Sequence, residues 1–79
     1  MEIRYSVSAL RALRRCDKRA LIEQKIDQLA TDPQSLARNV KRLQGRAASR
    51  LRVQDWRVIY REELELLHVI EVGPRGSIY

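Results

Sequence analysis

Arg50-Leu51-Arg52-Val53-Gln54-Asp55-Trp56-Arg57-Val58-Ile59-Tyr60 alternates apolar and polar residues on both sides of Gln54-Asp55. That alternation marks two half-buried strands joined by a tight turn. With Gln54 and Asp55 as the loop, Val53 opposes Trp56, Arg52 opposes Arg57, Leu51 opposes Val58 and Arg50 opposes Ile59. Directly opposed residues share a face of the sheet, and successive residues alternate between faces. Leu51, Val53, Trp56, Val58 and Tyr60 therefore form one apolar face. Arg50, Arg52, Arg57 and Arg61 fall on the other, interrupted only by Ile59. Any even-length loop keeps this sorting and an odd one destroys it.

Like charges opposed across a hairpin destabilise it. A sheet that gathers several arginines on one face is expected to gain an anion there, and planar guanidinium groups suit phosphate. The same residues also suit a plain solvated face, in which the arginines lie apart and their stems cover apolar surface. The whole-chain charge favours the anion. Lys and Arg number 16 against 10 Asp and Glu, for a net charge of +6 and a pI near 10.2. Residues 1–31 carry a net +3, residues 32–61 a net +6 and residues 62–79 a net −3. The positive region coincides with the hairpin and the segment leading into it. Nucleic acid, an acidic protein segment or an anionic membrane surface are the partner classes this implies.

Seventy-nine residues with 44% hydrophobic content suit one domain with a modest core, residues 1–79. No apolar run is long enough to span a bilayer, and no signal-peptide pattern opens the sequence, so the chain is not expected to cross a membrane. Cys16 is the single cysteine and has no internal disulfide partner, which fits a reducing cytoplasm. One histidine and one cysteine make no zinc site.

Glu2 to Val7 alternates as a first strand, with Ile3, Tyr5 and Val7 on one side. Ser8 is placed to cap a short helix with an apolar stripe of Ala9, Leu10, Ala12 and Leu13. Asp17 is placed to cap a second, in which Leu21, Ile22, Ile26 and Leu29 recur at helical spacing. Asp32-Pro33 ends it. Cys16, between the helices, reads as a packing residue. Ser35 to Arg38 suits a helical turn, and Val40 and Leu43 anchor the basic segment Asn39 to Leu43. After the hairpin, Glu62-Glu63 is the expected turn. Leu64 to Val72 is then nearly continuously apolar, as in a strand buried on both faces. Gly73-Pro74 is expected to break that strand, and Ser77-Ile78-Tyr79 to form a last short one. The order predicts an α+β domain: an N-terminal strand, a helical hairpin, then a mainly antiparallel curved sheet with helices on one face and arginines on the other.

Lys41-Arg42-Leu43-Gln44-Gly45, Arg50-Leu51-Arg52-Val53, Trp56-Arg57-Val58-Ile59-Tyr60, and Val72-Gly73-Pro74-Arg75 with Ile78-Tyr79 together resemble the RelE/ParE superfamily of bacterial toxins. The resemblance covers essentially the whole chain, and its specificity lies in the order and spacing of these motifs. It implies a RelE-like microbial RNase fold and the toxin of a type II toxin–antitoxin system. RelE-like members cut messenger RNA in the ribosomal A site without a metal or other cofactor: the ribose 2′-hydroxyl attacks the adjacent phosphate and leaves a 2′,3′-cyclic product. The implied partners are a cognate antitoxin, the ribosome and mRNA. The implied catalytic set is Arg50, Arg52, Arg57, Arg75 and Tyr79, with Lys41, Arg42, Arg46 and Arg61 as further RNA-binding residues. ParE-like members share the fold but inhibit DNA gyrase by binding. A non-catalytic RNA-binding module is the third reading that basic charge allows.

In-line attack needs a base for the nucleophile, charge stabilisation on the phosphorane and an acid for the leaving oxygen. Arg57 and Arg75 suit phosphate charge. Tyr79 suits either stacking on a nucleobase or packing. Arg50 and Arg52 stand where RelE has lysines, and arginine stays charged where a lysine can move a proton. His68 amid apolar residues reads as structural. Glu71 is the better candidate for proton transfer, with its facing left open by the turn before it.

Overall fold

In a computed structural model, residues 1–76 are described. The elements run β1 (Glu2–Tyr5), α1 (Val7–Arg14), α2 (Arg19–Thr31), a 3-10 segment Pro33–Asn39, β2 (Val40–Arg42), β3 (Ser49–Val53), β4 (Trp56–Glu63) and β5 (Leu66–Pro74). Among these residues the sheet has five strands in the order β1-β5-β4-β3-β2. Strands β2 to β5 form an antiparallel meander, and β1 lies parallel to β5. The two helices carry the chain from β1 at one edge of the sheet to β2 at the other, and β1 meets its parallel partner β5 only after the meander. The last expected strand, Ser77-Ile78-Tyr79, lies outside the described residues.

The hairpin has the expected register, Val53 to Trp56 through Arg50 to Ile59. Gln54 takes a φ of 53° in its turn. Leu51, Val53, Val58 and Tyr60 are buried in one core cluster, and Trp56 packs against it. The helices complete that core with Ala9 and Leu13 of α1 and Ile22, Ile26, Leu29 and Ala30 of α2. Cys16 packs at their junction. Among the described residues, no helix is long and apolar enough to cross a membrane.

Local chemistry moved three boundaries. Helix α1 is capped by Ser6 and not by Ser8: the Ser6 Oγ accepts from the Ala9 N–H at 3.0 Å and donates to the Ile70 carbonyl at 2.5 Å. One hydroxyl thus starts the helix and ties it to β5, which an exposed Ser8 on the first turn does not do. Helix α2 begins after Lys18, which makes no side-chain cap, so Asp17 does not cap it. The turn after β4 lies at Leu64-Glu65, with Glu65 at a φ of 56°, and not at Glu62-Glu63. Pairing continues through Glu62 with Leu67 and Glu63 with Leu66. This displacement is two residues long, so it leaves every facing unchanged and alternation cannot distinguish the two turns.

Strand β5 departs further from expectation. It runs through Gly73 to Pro74, because Arg57 pairs with Gly73 and Trp56 with Pro74. It is not buried on both faces: Leu67, Val69 and Val72 are buried, while His68, Ile70 and Glu71 are half-exposed. Tyr60 pairs with Val69 but Ile59 with Glu71, so one extra residue bulges the strand. Without it, Glu71 would share the core side with Val69. The bulge turns Val72 inward and sends Glu71 to the arginine side.

Candidate functional site

The register of β2, β3 and β4 builds a basic face from strand parity alone. Arg50 and Arg52 lie two residues apart on β3, and Arg57 opposes Arg52. Lys41 of β2 opposes Arg50 and joins the same face. Arg42 does not, because it opposes Ser49, which in turn opposes the core residue Tyr60. Arg61 is on the basic face, four residues beyond Arg57 and so about 13 Å along the strand. Between them Ile59 is fully buried, although it is outside the main core cluster. The arginine face thus has an apolar centre.

Arg57 is the buried charged residue of the described chain, at 8% exposure. Its Nη1 donates to the carbonyls of Gln54 and Trp56, each at 3.1 Å. Burying a cation is tolerable only with such acceptors. The hairpin turn therefore holds the guanidinium in place, and the arginine in turn satisfies the turn. Arg75 sits at the same end. Its backbone N–H donates to the Asp55 carbonyl at 2.7 Å, which pins the end of β5 to the β3–β4 turn. The side chains of Arg52 and Arg75 are exposed there. Arg52, Arg57 and the backbone of Arg75 thus lie at the turn end of the sheet, with Arg50 two residues further along β3 at its middle, opposite Ile59. Tyr79 lies outside the described residues.

The other end differs. Arg46, in the β2–β3 loop, pairs with Glu71 of β5 at 3.5 Å, linking elements on the two sides of β4. Arg61 pairs with Glu63 at 3.4 Å, and its Nη2 lies 3.5 Å from His68 Nδ1. His68 opposes Arg61 on β4 and Arg4 on β1, so it belongs to the open face and not to the core. The structural role read for it from its apolar neighbours is therefore not a core role. A cleft of about 390 Å³ opens here, lined by Arg46, Ala47, Ala48, Arg61, His68 and Ile70. Sequence reasoning missed this cleft. Its one local signal is the spacing of the inward residues Leu67, Val69 and Val72, which steps by two and then by three. Among the described residues, no group of three or more His, Cys, Asp or Glu side chains gathers as a metal site.

Residues 3–79 match the family model described as the ParE toxin of type II toxin-antitoxin system, parDE. No curated protein sequence matches the chain. Among solved structures, the fold is similar to that of YafQ from E. coli strain BL21(DE3), with a TM-score of 0.81 at 18% identity, over 99% of this chain and 97% of that one. It is similar to a chain of the E. coli DinJ-YafQ toxin-antitoxin complex, with a TM-score of 0.79 at 20% identity, over 99% and 96%. It is also similar to a chain of the archaeal RelE-RelB complex from Pyrococcus horikoshii OT3, with a TM-score of 0.76 at 23% identity, over 96% of each. At these identities the likeness concerns the fold.

Proposed function

This chain belongs to the ParE toxin family of type II toxin–antitoxin systems, and from the basic face of its sheet we propose that it is an endoribonuclease of the RelE kind, cutting mRNA in the ribosomal A site and restrained by a cognate antitoxin. Residues 1–79 act as one toxin domain in this reading. The observation that carries it is the basic sheet face on which Arg50, Arg52 and Arg57 lie together, with the backbone of Arg75 pinned to the turn at its end. Such a cluster suits a phosphodiester whose charge rises during reaction.

The ribose 2′-oxygen attacks the adjacent phosphorus, and the bond from phosphorus to the 5′-oxygen breaks. A 2′,3′-cyclic phosphate and a 5′-hydroxyl result. Arg52 and Arg75 meet the non-bridging oxygens, and Arg57, held rigidly by two carbonyls, adds a fixed positive charge. Charge placed in advance at the phosphorane requires little reorganisation during reaction. The proton of the 2′-hydroxyl passes to a base and the 5′-oxygen receives one. Arginine does neither, and Glu71 is the carboxylate that the β5 bulge brings to this face. Lys41, Arg46 and Arg61 extend the path of the strand. An antitoxin segment that folds on the toxin, carrying acidic groups to the arginine end, would block it.

The test is a reporter message in a reconstituted translation reaction, with 5′ ends mapped by primer extension. Cuts within A-site codons, absent without ribosomes and lost in Arg52→Ala and Arg75→Ala proteins of unchanged melting temperature, are expected. Intact message together with inhibited DNA gyrase would overturn the reading in favour of a toxin that acts by binding.

A further inference from the structure

The cleft between Arg46, Arg61 and His68 lies on the same face as the arginine cluster but its charges are paired. Each arginine on its rim already has a carboxylate: Arg46 has Glu71 at 3.5 Å and Arg61 has Glu63 at 3.4 Å. Arg4, beside His68 on the neighbouring strand, has Glu2 at 3.8 Å. The charge of this end is thus compensated locally. A phosphate or an acidic side chain entering it would meet Glu71 and Glu63 as well as the guanidinium groups.

Its floor and walls suit a flat, uncharged ring instead. Ala48 is buried at 4% exposure, and Ala47 and the bulged Ile70 add further apolar surface. His68 contributes a planar ring, and its contact with Arg61 sets it against a planar guanidinium. Ion-paired arginines keep their flat faces available for stacking. The volume of about 390 Å³ is in the range of small-ligand sites, about 300–1,000 Å³. Its position also fits a strand laid along the sheet. Arg61 is four residues from Arg57, about 13 Å, so a nucleotide here lies a step or two away from a phosphate held at Arg57.

We propose that this cleft is a nucleobase pocket, which takes one unstacked base of the RNA strand whose phosphate is held by Arg50, Arg52, Arg57 and Arg75. It rests on RNA being the ligand of that face and adds a selective subsite to it. The arginine end grips backbone without regard to sequence, whereas the cleft reads one base by stacking and by hydrogen bonds from its rim.

The experiment uses the full chain and short single-stranded oligoribonucleotides with a 2′-O-methyl group at every ribose, so that none can be cut. One abasic nucleotide is moved along the strand and affinity is measured by fluorescence anisotropy. Removing the base at one position is expected to weaken binding about tenfold, as loss of one stacked base does. In His68→Ala and Arg61→Gln proteins, with folding checked by circular dichroism, that position is expected to lose its effect while the others keep theirs. A flat abasic profile, or a sensitive position unchanged in both variants, would overturn the pocket. So would variants that bind RNA normally but lose the antitoxin, because the occupant would then be protein. The outcomes separate from those of the proposed function. A protein that shows the sensitive position and never cuts mRNA keeps the pocket and loses the nuclease, and one that cuts with a flat profile does the reverse.

Discussion

Arg52 and Arg57 stand directly opposite each other across β3 and β4, two cations on one face of the sheet. Arg57 is buried against the turn carbonyls and Arg52 is exposed. Opposed like charges oppose the fold, by about 0.2–1 kcal/mol for a cross-strand pair. Arg52→Thr is therefore expected to raise the unfolding free energy by up to about 1 kcal/mol, measured by urea denaturation. It is also expected to weaken RNA binding and reduce the salt slope of the affinity by about 0.7, one phosphate contact on a single strand. Lower stability with unchanged binding would contradict both halves.

Arg57→Ala has a different expectation, because Nη1 bridges the carbonyls of Gln54 and Trp56. Hydrogen bonds from a charged donor contribute about 1.5–3 kcal/mol. A loss of that size should appear in denaturant unfolding, and Arg57→Lys should recover part of it. An Arg57→Ala protein as stable as the parent would show that the turn does not need the guanidinium. For the same reason, loss of cleavage in Arg57→Ala reports on folding as well as chemistry, and Arg75→Ala is the cleaner probe.

Ser6→Ala removes both the α1 cap and the bond to the Ile70 carbonyl. The cap alone contributes about 1 kcal/mol, so a loss somewhat above that is expected. Ser8→Ala, at an exposed position inside the helix, is expected to change stability by less than about 0.5 kcal/mol. Thermal melts of the two proteins side by side decide it, and equal effects would contradict the assignment of the cap.

Tyr5 and Tyr60 predict alkaline sensitivity. Burial pushes both phenols above their ordinary value of about 10, helped by Asp27 and Glu23 at Tyr5 and by Glu62 at Tyr60, where a hydrogen bond with Ser49 acts in the opposite sense. The folded state holds these protons more tightly than the unfolded chain. Their contribution is thus fully present below pH 10 and is lost as pH rises through the raised values. Melting temperature is expected to fall above about pH 10, and the fall should be shallower in the double variant Tyr5→Phe, Tyr60→Phe. An equal fall in both proteins would assign the alkaline loss to other groups.

Glu71→Gln removes the carboxylate that neutralises Arg46 on the open face. RNA affinity at low salt is expected to rise severalfold, and the gain should shrink as salt screens the charge. Unchanged affinity at every salt concentration would place RNA away from this part of the sheet.

The hairpin shows how much of the site was legible from residues 50–60. Period-two alternation is a local property, and burying one face leaves a single register that keeps Leu51, Val53, Trp56, Val58 and Tyr60 together. Arg50, Arg52 and Arg57 then share the other face by necessity. The helices were legible for the same reason, from stripes such as Ile22, Ile26 and Leu29. The caps and the second turn were not. Ser6 competes with Ser8 through a bond to Ile70, 64 residues away, and a turn moved by two residues leaves every facing the same.

From the sequence alone came the alternation, the helical stripes, the clustering of charge and hence the pairing of β3 with β4. Tertiary structure alone decided the parallel docking of β1 on β5, the fold-back of Arg57 onto its own turn, the separation of Arg42 from Lys41, and the bulge that sends Glu71 outward. Alternation records only which side of a strand is apolar. Which strand lies alongside, and where one extra residue is absorbed, depends on burying Leu67, Val69 and Val72 against helices distant in the chain. The basic face is thus a consequence of local pattern, while the cleft beside it exists only because distant segments meet.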